Sequence, residues 1–501
     1  MHRSIYGPLP LRAAAAVATL ALAGADLRAG SDLWFTPLTE SAPVVAPNAT
    51  AELMAPWTTP AGILQTNLLS LREVEDQVLS PQQSIVRVPL GSSGSMIDMI
   101  AYDPSGEFLF LPHETAFGAG VSRHDIRARV TQVLFQGNQQ GQAGDWSADY
   151  GAFDPCRFTP NRTLFLAEEW AGQGRVIEVL NPFAEPSEIK TRELNSIANV
   201  AHEGITFSAR DPRVIYYIDE NNSGSIYKFV MRKAGDYTAG QTFVLKVDGY
   251  AGNAAEDYNA ATNANQPRTG DATWVPLTDA SGRVLPNVAD PFDNATLGGR
   301  AAADSVGATP YGRPEDSEVT RLRNGREVLY VAMTSENSVY SFEIVGENRV
   351  RVGKLISPST PKNLGHPATT GQLNSPDNLA QDALGNIYIV EDAPNGSSTG
   401  GDIWFARDAN NDGEAESLDH FMSIRVDGSE ATGMIFNPAN PLEFAVAVQH
   451  PSSTDLSVVP NGLGDSVWLF DLSAIENQGF VRKLEKAAKQ GHGRPSVRSG
   501  Q

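Results

Sequence analysis

The chain has 501 residues, with 59 acidic side chains against 38 basic ones and a formal net charge of −21. That balance excludes a nucleic-acid partner, since a phosphate backbone demands a basic face. Hydrophobic residues make up 41%, enough for a core, and 45 Gly with 32 Pro supply turns, so a folded chain is expected between its ends.

At the N-terminus, Arg3 and Arg12 provide positive charge around the apolar run 13–22, which is too short to span a bilayer. Ala23-Gly24-Ala25 then offers a small-residue cleavage site. Residues 1–25 read as a secretory signal peptide, which makes the mature protein periplasmic or secreted, with no membrane span. Residues 26–89 read as an irregular and helical segment: 30–62 are rich in Pro, Ala and Thr, and 65–79 have an apolar spacing compatible with a short helix.

Residues 90–475 carry one pattern six times. A polar or acidic residue leads a short strand, a turn follows, and a second strand ends on another polar or acidic cluster before a third apolar run. In the clearest copy, 377–379 turn over 382–385 into 387–390, which end on Glu391-Asp392 and precede 403–405. The other second strands end on His113-Glu114, Glu168-Glu169, Asp219-Glu220, Ser335-Glu336 and Gln449-His450. Short Val/Ile/Phe/Tyr runs bounded by Asp-Pro, Asn and Gly read as buried strands. Units that cannot bury both faces alone must stack, which predicts an all-β, six-bladed β-propeller with long inter-blade insertions and minor helical segments. Residues 233–312, rich in Ala, Asn, Gly and Asp, read as an insertion between the third and fourth units. Residues 476–501 read as a mobile basic tail.

The acids at the strand ends are the candidate ligands. Glu168-Glu169, Asp219-Glu220 and Glu391-Asp392 form one set, and the leading residues Cys156, Glu203, Glu315, Asp377 and Glu430 form a second. A buried cluster of carboxylates persists only if protonated, paired or metal-bound, and hard oxygen donors suit Ca²⁺ or Mg²⁺. Cys156 is the only cysteine, so no intramolecular disulfide forms. In a ligand slot its thiolate would favour a transition metal such as iron beside calcium. Separately, Asp408, Asn410 and Asp412, with Gly413 and Asp419, have the spacing of a Ca²⁺ loop, which is also that of an ordinary Asn/Asp/Gly turn. A zincin helix is excluded because His202-Glu203 has no second His at Thr206, and neither a nucleophile elbow nor a P-loop is present.

Several short motifs share an order. They are Cys156 with Thr159-Pro160, Thr163 and Glu168-Glu169; Ala201-His202-Glu203-Gly204 with Asp219-Glu220; Arg313-Pro314-Glu315; Ser375-Pro376-Asp377-Asn378; and Glu430-Ala431-Thr432-Gly433 with Gln449-His450-Pro451. Over about residues 90–470 this series resembles the PhoX-type alkaline phosphatase family. The resemblance implies an exported propeller that hydrolyses small-molecule phosphate esters at two irons bridged by the cysteine and flanked by calcium ions; separately, the chain is expected to be a monomer. It implies that Cys156, Glu203 and Asp219 are iron-side ligands, that Glu168, Glu169, Glu315 and Glu430 are mainly calcium-side, and that Arg313 is the catalytic group gripping phosphate. The leader lacks twin arginines, so export of a folded, metal-loaded protein is not implied and a calcium-only site stays open. Two other readings also remain: a Ca²⁺-binding propeller that binds a ligand or partner without catalysis, and a lactonase-like Ca²⁺-dependent hydrolase.

Overall fold

Asp103, Asp382 and Asn437 close the hairpins between first and second strands by the same device. Each side-chain oxygen accepts backbone N–H groups a few residues on: Ser105 and Phe108 at 2.9 Å for Asp103, Leu384 at 2.8 Å for Asp382 and Ala439 at 2.9 Å for Asn437. Such Asx turns fix the chain reversal locally. Antiparallel pairing then sets the start of each first strand beside the end of its second strand, as in Phe153 opposite Glu168, Pro376 opposite Glu391 and Glu430 opposite Gln449. Both acid sets of the sequence therefore gather at the same end of their sheets.

The computed structural model describes residues 33–45, 54–70, 97–170, 172–394, 396–452 and 464–489; the signal-peptide reading falls outside them. Strands dominate the described residues. Ala101–Tyr102, Phe108–His113, Gly120–Asp125 and Val130–Gln136 form one antiparallel meander, and Phe153–Phe158, Leu164–Glu168, Val176–Val179 and Thr191–Glu193 form the next. Pro376–Gln381, Ile387–Glu391, Asp402–Arg407 and Ser417–Ile424 form a third, extended by Trp57–Thr58. Glu430–Phe436, Glu443–Gln449 and Ser466–Asp471 are completed by Leu64–Ser70. The remaining sheet has nine strands. In it the meander from Ile205–Phe207 to Gly240–Val247 joins the meander from Pro314–Arg321 to Arg349–Ile356 through Gly270–Pro276, which pairs with both. The first strands touch one another in chain order, and Glu430–Phe436 returns to Ala101–Tyr102. The architecture is all-β and propeller-like, with apolar clusters between neighbouring sheets.

Three expectations are corrected. Residues 65–70 are strand, not helix: Leu64–Ser70 pairs with Ser466–Asp471, Leu64 opposite Asp471, a partner far along the chain that decides against the local helical spacing. Residues 71–79 lie outside the described residues. Residues 233–312 are not a simple insertion, because they supply the outer strand Gly240–Val247, the joining strand Gly270–Pro276 and the helix Gly298–Val306. The C-terminal region is not simply a loose tail, since Gln478–Lys489 is a helix that buries Phe480, Val481, Leu484 and Ala487.

Phe480 stacks on Trp34 at 4.7 Å between ring centroids with the rings 5° apart, so the helix and the N-terminal segment cover each other. Phe480→Ala is expected to cost about 3 kcal/mol, read as a lowered denaturation midpoint. A midpoint unchanged from the parent would show that the helix is not docked there.

Candidate metal centre

Three first strands break register at the same place, between Phe153 and Cys156, between Pro314 and Ser317, and between Pro376 and Leu379. In each, two residues oppose one on the second strand, a bulge that re-aims side chains: Asp154-Pro155, Glu315-Asp316 and Asp377-Asn378. Just ahead of each bulge a non-glycine residue has a left-handed backbone, Ala152 at φ 45°, Arg313 at 49° and Ser375 at 52°. Such conformations cost about 1–3 kcal/mol and collect at functional sites.

The bulges bring carboxylates together. Asp98, Glu114 and Asp154 form one group, Asp154, Glu169 and Glu203 a second, and Glu203, Glu315 and Asp377 a third, with donor atoms in each group within 4.8 Å of one another. Asp154 and Glu203 are each shared by two groups, so the acids form a continuous arc. Asp98, Asp154, Glu203, Glu315 and Asp377 are buried. Asp98 accepts hydrogen bonds from Thr432 Oγ1 and, at 2.8 Å, from Gln449 Nε2, which also donates to Glu114 at 3.0 Å. By contrast Asp154 Oδ1, Glu203 Oε2 and Asp377 Oδ1 are buried without a hydrogen-bond partner.

Burial first, and then mutual repulsion, raises Glu114, Asp154, Glu203 and Asp377 well above the usual carboxylate range. Asp98 is pushed up to about 6 by burial, with Thr432 and Gln449 opposing the rise. At the edge of the arc Glu430 is raised to about 7, again by burial first. Its oxygen lies 3.1 Å from His450 Nε2, and this contact lifts His450 to about 9. Burial and mutual repulsion thus favour the protonated carboxyls when the arc is without cations, and positive charge inside it favours their deprotonation.

The family model described as "Alkaline phosphatase PhoX" matches residues 130–452. The chain belongs to the PhoX alkaline phosphatase family. Pseudomonas fluorescens PhoX, solved in complex with vanadate, a transition state analogue, superposes with a TM-score of 0.58 at 15% identity, covering 88% of this chain and 99% of that one; it shares the fold. A catalytically inactive virginiamycin B lyase from Staphylococcus aureus superposes with a TM-score of only 0.38 at 11% identity, covering 82% of this chain and 99% of that one. No curated protein matches the chain.

Of the ligands that the PhoX resemblance implied, the structure brings Glu169, Glu203 and Glu315 into the arc and sets Glu430 beside it. It does not bring Cys156. After the bulge Cys156 falls opposite Leu166, and the thiol is buried in an apolar cluster with Phe110, Phe153 and Leu166. Glu168 is also occupied elsewhere: its oxygens accept from Arg175 Nη2 at 2.6 Å and Nε at 2.7 Å and from Gly151 N at 3.1 Å. It lines a cavity of about 250 Å³ with Trp146, Trp170 and Gln173. Asp219 is held by Arg300 through two bonds of 2.7 Å.

The proposed Ca²⁺ loop is a turn on another part of the molecule. Asp408 accepts from Asp412 N at 3.1 Å and Gly413 N at 2.7 Å, while Asn410 donates to Glu416. Asp419, the residue meant to close the loop, is paired with Arg407 at 2.8 Å. Sequence reasoning had Asp377 among the candidate ligands, which the structure brings into the arc, but left out Asp98, Glu114 and Asp154. A signal for Asp154 existed, since it follows Phe153 as Glu315 follows Pro314 and Asp377 follows Pro376, each in the place directly after the residue that opens the strand.

Arg313 stands at the mouth of the arc. Its Nε is 2.5 Å from Glu220 Oε1 and 3.3 Å from Glu315 Oε1, and Nη1 is 3.9 Å from Asp392 Oδ2. Its backbone is pinned on both sides, N donating to Asn221 O at 3.0 Å and O accepting from Thr334 N at 3.1 Å. The unpartnered carboxylate oxygens fit hard cations; the buried thiol does not fit a place in the same ligand set.

Proposed function

We propose that the chain is a monomeric, exported phosphomonoesterase, a six-bladed propeller that hydrolyses small phosphate esters at cations held by the carboxylate arc. The six-blade count takes the nine-stranded sheet as two meanders joined by Gly270–Pro276. The observation that carries the activity is the buried, unpartnered oxygens of Asp154, Glu203 and Asp377 in an arc beside Arg313. Cations bound there would neutralise the carboxylates, polarise a phosphoryl group and stabilise the charge of its transition state. Calcium suits the oxygen donors.

Arg313, part exposed and fixed by Glu220, Glu315 and Asp392, presents a planar fork that matches phosphate oxygens, which a lysine cannot do. His450, held protonated by Glu430 up to about pH 9, adds a second positive group near Asp392. Both cations favour an anionic substrate over a neutral lactone.

Arg313→Ala is expected to lower kcat/KM for 4-nitrophenyl phosphate by roughly 10²–10³-fold, with Arg313→Lys recovering little, while the melting temperature stays near that of the parent. The reading fails if protein supplied with calcium, magnesium, manganese and iron releases no phosphate at alkaline pH. Hydrolysis of a lactone in its place would favour the lactonase-like reading. Cation-dependent stability without any turnover would favour a binding propeller.

A further inference from the structure

We propose that the metal centre of this chain is built from oxygen alone: an arc of three hard divalent cations in which Asp154 and Glu203 each bridge two neighbouring ions and Cys156 takes no part. The inference rests on reading the carboxylates as a cation site and deepens it by fixing the number and kind of cations. Each of the three groups offers three donors within 4.8 Å of one another, the span that oxygens on opposite sides of one ion occupy at metal–oxygen distances of about 2.3–2.6 Å. Because the groups overlap at Asp154 and at Glu203, one carboxylate oxygen pair at each can face two ions.

The unpartnered oxygens identify where ligands are missing. Asp154 Oδ1, Glu203 Oε2 and Asp377 Oδ1 are buried with no donor facing them, a costly arrangement for a carboxylate unless a cation or a proton is present. One such oxygen lies in every group. Three divalent cations would offset all but one of the negative charges of the seven carboxylates of the arc.

The thiol is excluded by geometry. The bulge that turns Asp154 into the arc places Cys156 in the following core position, equivalent to Leu379 in the Pro376–Gln381 meander, where Leu379 packs in an apolar cluster. Arg157, next to it, is committed by hydrogen bonds to Glu318 at 3.0 Å and Thr206 at 3.1 Å. Carboxylates without a thiolate select calcium, magnesium or manganese over thiolate-bound iron.

The mature chain, stripped with chelator and dialysed against CaCl₂ or MnCl₂, tests this by elemental analysis and visible absorption. The expected result is three divalent cations per chain and no thiolate-to-metal charge-transfer band. Cys156→Ser should keep the same metal content and phosphatase activity, while Asp154→Asn should lose the two cations that it bridges. Two or fewer cations per chain would overturn the proposal. So would a charge-transfer band with bound iron that Cys156→Ser abolishes, or an Asp154→Asn protein with full metal content. Should Asp154→Asn fail to fold, the Cys156→Ser metal content and the spectrum still decide. Three bound cations without phosphate release would refute the phosphatase reading and leave this one standing; phosphate release by a thiolate–iron protein would do the opposite.

Discussion

Chelation at pH 8 is expected to lower the melting temperature by roughly 10 °C, and moving the stripped protein to pH 5 should restore part of that loss. The sign follows from the acids. Asp98 is raised from its ordinary 3.8 to about 6, by burial above all, so the folded chain holds this proton more tightly than the unfolded one. The resulting stabilisation is complete below about pH 4, declines between about pH 4 and 6, and is gone above that. At about 1.4 kcal/mol per unit, the rise corresponds to about 3 kcal/mol for this one residue. Asp154, Glu203 and Asp377 are raised for the same reason and act in the same direction. The loaded protein should behave in reverse, because cations need deprotonated carboxylates and protons compete with them as pH falls. Melting curves of loaded and stripped protein measured from pH 5 to 9 should therefore converge at the acid end and separate at the alkaline end. Parallel curves would mean that the arc holds no cations.

The features legible in the sequence are those set by local patterns. Asp382 and Gly385 mark a turn by chemistry that acts within four residues, and the runs on either side alternate into strands whatever lies elsewhere. Antiparallel pairing then guarantees that Glu169, Glu203 and Glu315 gather at one end. What stayed hidden depends on single-residue register or on distant partners. The Phe153/Cys156 bulge exchanges the roles of Asp154 and Cys156, and the spacing of strand residues gives no sign of one inserted position. The strand Leu64–Ser70 has leucines at a helical interval, and only its pairing with Ser466–Asp471 decides its conformation. Asp408 and Asp412 fit a cation loop as readily as a turn, and the ion pair of Asp419 with Arg407 settles which. Glu168 and Asp219 were acids in the right places whose arginines, Arg175 and Arg300, could not be paired with them from the sequence.

Arg300 provides the second large effect. It belongs to the helix Gly298–Val306, far along the chain from Asp219, yet its Nε and Nη2 each lie 2.7 Å from an Asp219 oxygen, and Ala201 N adds a third donor at 3.2 Å. Both side chains are buried. A planar, bidentate pair of this kind offsets the desolvation of its own charges, and removing one partner leaves the other stranded. Arg300→Leu is expected to cost about 3–5 kcal/mol, Asp219→Leu a similar amount, and the double replacement far less than the sum, because two apolar side chains of matched size need no counter-charge. Urea unfolding of the four proteins gives the coupling directly. The second measurement concerns the site: Glu220, next in the chain, lends its carbonyl to Arg300 at 3.3 Å and its carboxylate to Arg313 at 2.5 Å. Loosening Arg300 should therefore raise KM for the phosphate ester more than it lowers kcat, while Asp219→Asn keeps its full complement of cations. Loss of cations in Asp219→Asn would mean that Asp219 leaves Arg300 to become a ligand, and additive stabilities in the cycle would mean that the pair is not the anchor of the helix.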